Sequence, residues 1–216
     1  MKNKKFITVA IDSEASAGGG TQAKLISKHF NLYYLDTGKI YRYIALLKMK
    51  YPNKFNNKLI ENKIKNLKLL HLQNKNLLSE EIGSAASKIA KKLYIRKMVY
   101  KFQIKCAFSP PKKFNGSCLD GRDITTKIMP DAMFKFFITA SAIVRAKRRF
   151  IELKKMKKKT SLKDVLKSIK IRDKSDYQRK HSPLKRTKDQ VLINCSNLSK
   201  KACFLKIKKI MYKKLS

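Results

Sequence analysis

From Ser16 to Thr21 the chain carries only small residues, Ser-Ala-Gly-Gly-Gly-Thr. Small side chains let an anion's oxygens approach backbone N–H groups, and a helix opening directly afterwards adds the positive end of its dipole. The chemistry on offer is phosphate binding, although a glycine run alone reads equally well as a flexible turn. Further along, Arg42, Arg96, Arg122, Arg172 and Arg179 stand out in a chain whose basic residues are mostly lysine. Guanidinium forks match phosphate oxygens better than ammonium point charges do. Taken singly, each arginine also reads as a solvated surface charge and Asp123 as a turn residue. Arg172 and Asp176 alone would be an i,i+4 helix pair worth ~0.3–0.5 kcal/mol.

The flanking elements decide how the loop is read. Phe6 to Ile11 is a short apolar run suited to a buried strand. After Thr21, Ala23, Ile26 and Phe30 share one helical face, and Leu32 to Leu35 starts a second strand. Strand, small-residue loop, helix, strand is a βαβ unit. Lys48 to Leu78, rich in Lys and Asn and interrupted by Pro52, reads as a peripheral insert. Glu80 to Phe108 reads as largely helical with a break near Tyr94, stopped by Pro110 and Pro111. Cys118-Leu119 and Phe134 to Ile138 are further strands, each followed by polar residues, and Val191 to Ile193 is the last. Ser199 is placed to cap a terminal helix bearing Phe204, Ile207 and Met211 on one stripe. Lys154 to Lys159 lacks apolar periodicity and reads as a loop or flap. The order predicts an α/β fold with a mainly parallel sheet, helices on both faces, and ligands at the carboxyl ends of the strands.

With 216 residues and 43% hydrophobic composition, one domain is expected. Lys and Arg number 53 against 14 Asp and Glu, a formal charge of +39. Such a charge attracts polyanions nonspecifically, but its spread from Lys2 to Lys214 points to no specific nucleic-acid partner. The four cysteines form no CxxC pair and, with three histidines, suggest no zinc site. Met1 to Asp12 lacks an export signal, and Met133 to Val144 is too short to cross a bilayer. A soluble protein of a reducing, cytoplasmic compartment, without membrane association, is expected.

The blocks Asp12 to Lys24 and Tyr34-Leu35-Asp36-Thr37-Gly38-Lys39-Ile40-Tyr41-Arg42 resemble the first two motifs of bacterial cytidylate kinases. Ser84 to Ser87 with Arg96, Asp120-Gly121-Arg122-Asp123, Pro130-Asp131-Ala132, and Ile169 to Leu184 follow in that family's order over nearly the whole chain. The resemblance implies an α/β, P-loop NTPase-type parallel sheet flanked by helices. Residues 1–216 would be one nucleoside monophosphate kinase domain, with a small acceptor-binding insert at 48–78 and a lid around 154–159. It implies phosphoryl transfer from ATP to CMP or dCMP in pyrimidine nucleotide metabolism by a monomer. ATP would lie on Ser16, Ala17, Gly18, Gly19, Gly20 and Thr21, with the Thr21 hydroxyl on Mg²⁺. Ser87, Arg96 and Asp123 would read cytosine; Arg42, Arg122 and Arg179 would hold the acceptor phosphate. Thr37 would line the acceptor site. Arg172 and Asp176 would lie near the ribose and the transferring group, and with Arg122 and Arg179 make the catalytic set. Asp36 would orient either the acceptor site or Arg42.

The phosphate loop departs from the family pattern. That pattern has glycine after the aspartate, then proline, and a lysine immediately before the final Gly-Thr; this chain has Ser13, Glu14 and Gly19. Losing a preorganised cation on the β- and γ-phosphates predicts a penalty of roughly 10²–10³ in rate. Three readings follow: a kinase in which another cation substitutes, which is preferred, with Lys39 and Lys24 as candidates; a slow kinase; or a nucleotide-binding pseudoenzyme that does not transfer phosphate. A basic RNA-associated protein on the same fold is the non-enzyme alternative. A kinase for UMP or shikimate is disfavoured by the cytosine-reading set.

Overall fold

The computed structural model describes residues 6–216; Met1 to Lys5, read above for an export signal, lie outside the described residues. Five strands, β1 (Ile7–Ser13), β2 (Tyr33–Asp36), β3 (Gly116–Gly121), β4 (Phe134–Thr139) and β5 (Val191–Asn194), form one sheet in the order β2-β3-β1-β4-β5. Every pairing is parallel. Among the described residues eight α-helices accompany them: α1 (Gly19–Phe30), α2 (Gly38–Lys50), α3 (Asn57–Lys65), α4 (Glu80–Ile89), α5 (Leu93–Phe108), α6 (Ala142–Lys155), α7 (Leu162–Gln178) and α8 (Lys200–Leu215).

Alternation along β1 divides the core. Val9 and Ile11 face a cluster with Ile26 of α1, Ile207 and Met211 of α8, and Phe134, Phe136 and Ile138 of β4. Ala10, with Leu35 and Leu119, faces the opposite cluster built from α2 to α5. A strand buried on both sides is apolar at successive positions, which is why Phe6 to Ile11 reads as a run. Ser199 does cap α8, accepting from the Ala202 N–H at 3.1 Å.

Three features differ from expectation. Lys48 to Leu78 is more than a peripheral appendage: Ile60, Ile64, Leu67 and Leu72 are buried in the larger cluster, and Leu77 is also buried. Isolated apolar residues among Lys and Asn hide this role, because few are needed once the segment lies flat on α2 and α5. Lys154 and Lys155 complete α6, so only 156–161 forms the connection to α7. That α6–α7 hairpin has its own small core of Ala146, Leu153, Val165 and Ile169. Cys195 and Cys203 lie side by side, their Cα atoms 6.2 Å apart, because α8 folds back directly after β5; spacing alone did not suggest the pair. Among the described residues no helix is long and apolar enough to cross a membrane.

Candidate active site

Asp12, at the end of β1, is fully buried and accepts from the Ile124 N–H (2.8 Å), the Thr125 N–H (3.0 Å), the Thr125 hydroxyl (2.5 Å) and Gln190 Nε2 (3.3 Å). This acid fastens the π-turn Ile124–Ile128 to the sheet and thereby places the preceding Asp123. The next residues of β1 turn into the phosphate loop. Ser16 and Gly18 both have positive φ, 59° and 98°, and alternating left-handed residues converge successive N–H groups on one point. α1 begins there with no side-chain cap, so its first-turn donors are available to an anion.

Glu14 ties the loop to its surroundings. Its carboxylate accepts from the Thr139 hydroxyl at 2.5 Å and the Tyr177 hydroxyl at 3.1 Å. Arg145, buried in α6, donates to the Ala15 carbonyl (3.0 Å) and to Asp173 (2.6 Å), and Asp173 in turn accepts from the Ala15 N–H (3.2 Å). The loop is thus fastened to α6 and α7, with Arg145 the one member of this network that no sequence motif singled out.

A cleft of about 340 Å³ is lined by all fifteen sequence-predicted site residues: the loop from Ser16 to Thr21, together with Thr37, Arg42, Ser87, Arg96, Arg122, Asp123, Arg172, Asp176 and Arg179. Thr37 donates through its hydroxyl to the Asp120 carbonyl at 2.9 Å. Arg42 donates to the Leu77 and Ser79 carbonyls at 2.6 and 3.1 Å and lies against Gly83, where a Cβ would come within 2.9 Å of its Nη2. Arg96 donates to Asp123 at 2.8 Å and to the Ala90 carbonyl at 2.7 Å. The Ser87 hydroxyl meets that of Ser175 at 3.3 Å. Arg122 pairs with Asp176 at 2.8 Å. Arg179 approaches both Asp176 (3.5 Å) and Asp123 (3.8 Å), and its Nη2 is buried without a hydrogen-bond partner.

Arg172 makes no hydrogen bond or ion pair among the described residues, and burial followed by the Arg122 charge pulls its guanidinium down to about 10. Burial pushes Asp176 upward, but Arg122, Arg172 and Arg179 outweigh it and hold the carboxyl below its ordinary range. Such an excess of convergent guanidinium charge over carboxylate is a site prepared for an anion.

The cleft contains residues the sequence reading did not assign. Asp120 lies beside Gly20, accepts from the Tyr34 hydroxyl at 2.8 Å, and is pushed well above the usual carboxylate range by burial and then by Asp36. Its place in the Asp-Gly-Arg-Asp block was the available signal. Arg149 reaches in from α6, bound to Glu80 and Glu152. Of the two candidate substitute lysines, Lys24 lines the cleft one turn along α1; Lys39 is absent from its lining.

The family described as Cytidylate kinase matches residues 9–213. A cytidylate kinase of Thermosipho melanesiensis is 37% identical over 95% of this chain and 97% of its own. One from Bartonella tribocorum is 39% identical over 93% and 92%, respectively. A crystal structure of an uncharacterized protein from Eubacterium ventriosum shares the fold, with TM-score 0.51 and 16% identity over 96% of this chain and 99% of that one. With this match over nearly its whole length and a parallel sheet presenting a phosphate loop to a guanidinium-lined cleft, the chain belongs to the cytidylate kinase family.

Proposed function

We propose that the protein transfers the terminal phosphoryl group of ATP to CMP or dCMP. The observation that carries this is the presence, in one cleft, of the uncapped N-terminus of α1 and of the Ser87, Arg96 and Asp123 constellation, with Arg122, Arg172 and Arg179. The Asp123 carboxylate accepts from the exocyclic amine of cytosine while Arg96 donates to its ring acceptors. Uracil turns a carbonyl toward the carboxylate and forfeits that pairing. The first-turn N–H groups of α1 receive the ATP phosphates, and Arg42, Arg122 and Arg179 hold the acceptor phosphate. Arg172 and Asp176 position the ribose and the transferring group.

In-line transfer then depends on bringing two anions together and excluding water rather than on covalent help. The Thr21 hydroxyl, exposed beside the loop, is the protein group suited to Mg²⁺, which when bound neutralises phosphate charge. We further propose that Lys24 supplies part of the charge absent from position 19, that residues 48–78 bear on the acceptor side, that the α6–α7 connection acts as a lid, and that the enzyme works as a cytoplasmic monomer.

The experiment is coupled ADP release with purified protein, ATP and Mg²⁺, comparing CMP, dCMP, UMP and no acceptor. Turnover with CMP is expected to exceed that with UMP by at least about tenfold. Folded protein without CMP-dependent turnover refutes the kinase reading. A second reading, a nucleotide-binding pseudoenzyme, is favoured by Gly19 itself; it predicts CMP and ATP binding with no ADP release. The +39 charge favours RNA association, which would be tight and steeply salt-dependent.

A further inference from the structure

Two of the departures in the phosphate loop meet in space. Ser13 is the buried last residue of β1, and Gly19 opens α1. A Cβ built on Gly19 would lie 2.7 Å from the Ser13 Cβ and closer still to its hydroxyl oxygen, with Ile11 Cγ2 behind at 3.7 Å. Gly19 does not have the positive φ that disfavours side chains, so the obstacle is space alone. The hydroxyl can rotate out of the way. The Ser13 Cβ cannot, because it is carried by the central strand of the sheet, paired with β3 through Asp12 and Gly121 and with β4 through Ser13 and Ile138.

We propose that side chains at positions 13 and 19 exclude one another, so that Ser13 and Gly19 are coupled. The Ser13 side chain occupies the root of the position from which a residue-19 side chain would leave the loop. A lysine is accommodated there only when residue 13 is glycine. Ser13 is therefore a positioning residue: it keeps position 19 bare, and cations elsewhere on the cleft must supply charge to the donor phosphates. The steric part stands independently of activity; the part concerning donor phosphates rests on the kinase reading.

The test compares the parent with Ser13→Gly, Gly19→Ala, Gly19→Lys and the two double variants by thermal melting without ligand. It also measures the affinity of a non-hydrolysable ATP analogue with Mg²⁺. Inserting a carbon into a packed site predicts that Gly19→Ala alone melts about 3–10 °C below the parent. In the Ser13→Gly background the same substitution should cost less than about 2 °C. Ser13→Gly/Gly19→Lys is expected to bind the analogue at least about tenfold tighter than Gly19→Lys alone. Equal melting of Gly19→Ala and parent, or an unchanged loss with Ser13→Gly, overturns the coupling. Coupled melting with no analogue binding by any variant supports the steric exchange and refutes the donor-site reading.

Discussion

Arg172→Met is expected to stabilise the unliganded protein while removing most of its response to CMP. Burial and the Arg122 charge hold the Arg172 guanidinium at about 10 instead of 12.5, a penalty on its charged form of roughly 3 kcal/mol at 1.36 kcal/mol per pKa unit. The side chain is only partly buried, so solvent screening reduces the recoverable amount to about 1–3 kcal/mol. Methionine keeps the apolar stem in contact with the cleft wall and removes the charge. For a chain of this length the melting temperature should rise by about 2–10 °C. Addition of CMP at a hundred times its Kd should stabilise the parent by about 2.7 kcal/mol, and the variant by much less. Arg172→Lys, which keeps a cation, should show no rise without ligand. The assay is a melting curve with and without CMP. An unliganded Arg172→Met protein melting below the parent would show that the guanidinium is compensated in the free state, and the reading of a cleft charged in advance for its ligand would fail.

Ser16 holds φ at 59°, a left-handed conformation that costs a side-chain-bearing residue about 1 kcal/mol; Ser16→Gly is expected to melt about 2–4 °C higher, and an unchanged or lower melting point would refute that cost. Asp120 is pushed well above its ordinary 3.8 by burial and Asp36, so the folded state retains a proton that the unfolded state releases. Its ionisation therefore destabilises the protein increasingly as pH rises from near 4 toward the folded-state value. Asp120→Asn mimics the protonated acid, and its melting-point difference from the parent should move in its favour between pH 5 and pH 8; a constant difference would refute the assignment. Because Lys24 lines the cleft and Lys39 does not, Lys24→Met should lower CMP-dependent turnover at least about tenfold with a smaller effect on CMP affinity. Lys39→Met, which the sequence alone made an equal candidate, should have less effect on turnover; the reverse order in ADP-release assays would overturn the assignment.

The βαβ opening, the strand positions and the cap at Ser199 were legible because each depends on local pattern: a doubly buried strand must be apolar throughout, and a helix cap needs its own oxygen near the next turn. The fifteen candidate site residues were picked out by the resemblance and order of their motifs, although taken singly Arg96 or Asp123 was indistinguishable from a surface charge or a turn residue. Tertiary structure alone decided that these residues share one cleft, since the ends of β1 and β3 and one face of α7 are brought together by sheet order rather than by sequence proximity. It separated Lys24 from Lys39, buried part of the Lys- and Asn-rich segment, and brought Cys195 beside Cys203. Ser13 and Gly19 make the distinction most sharply. In sequence they are two residues of one loop; in space they compete for a single volume, because packing is settled by distances between side chains that the order of residues does not contain.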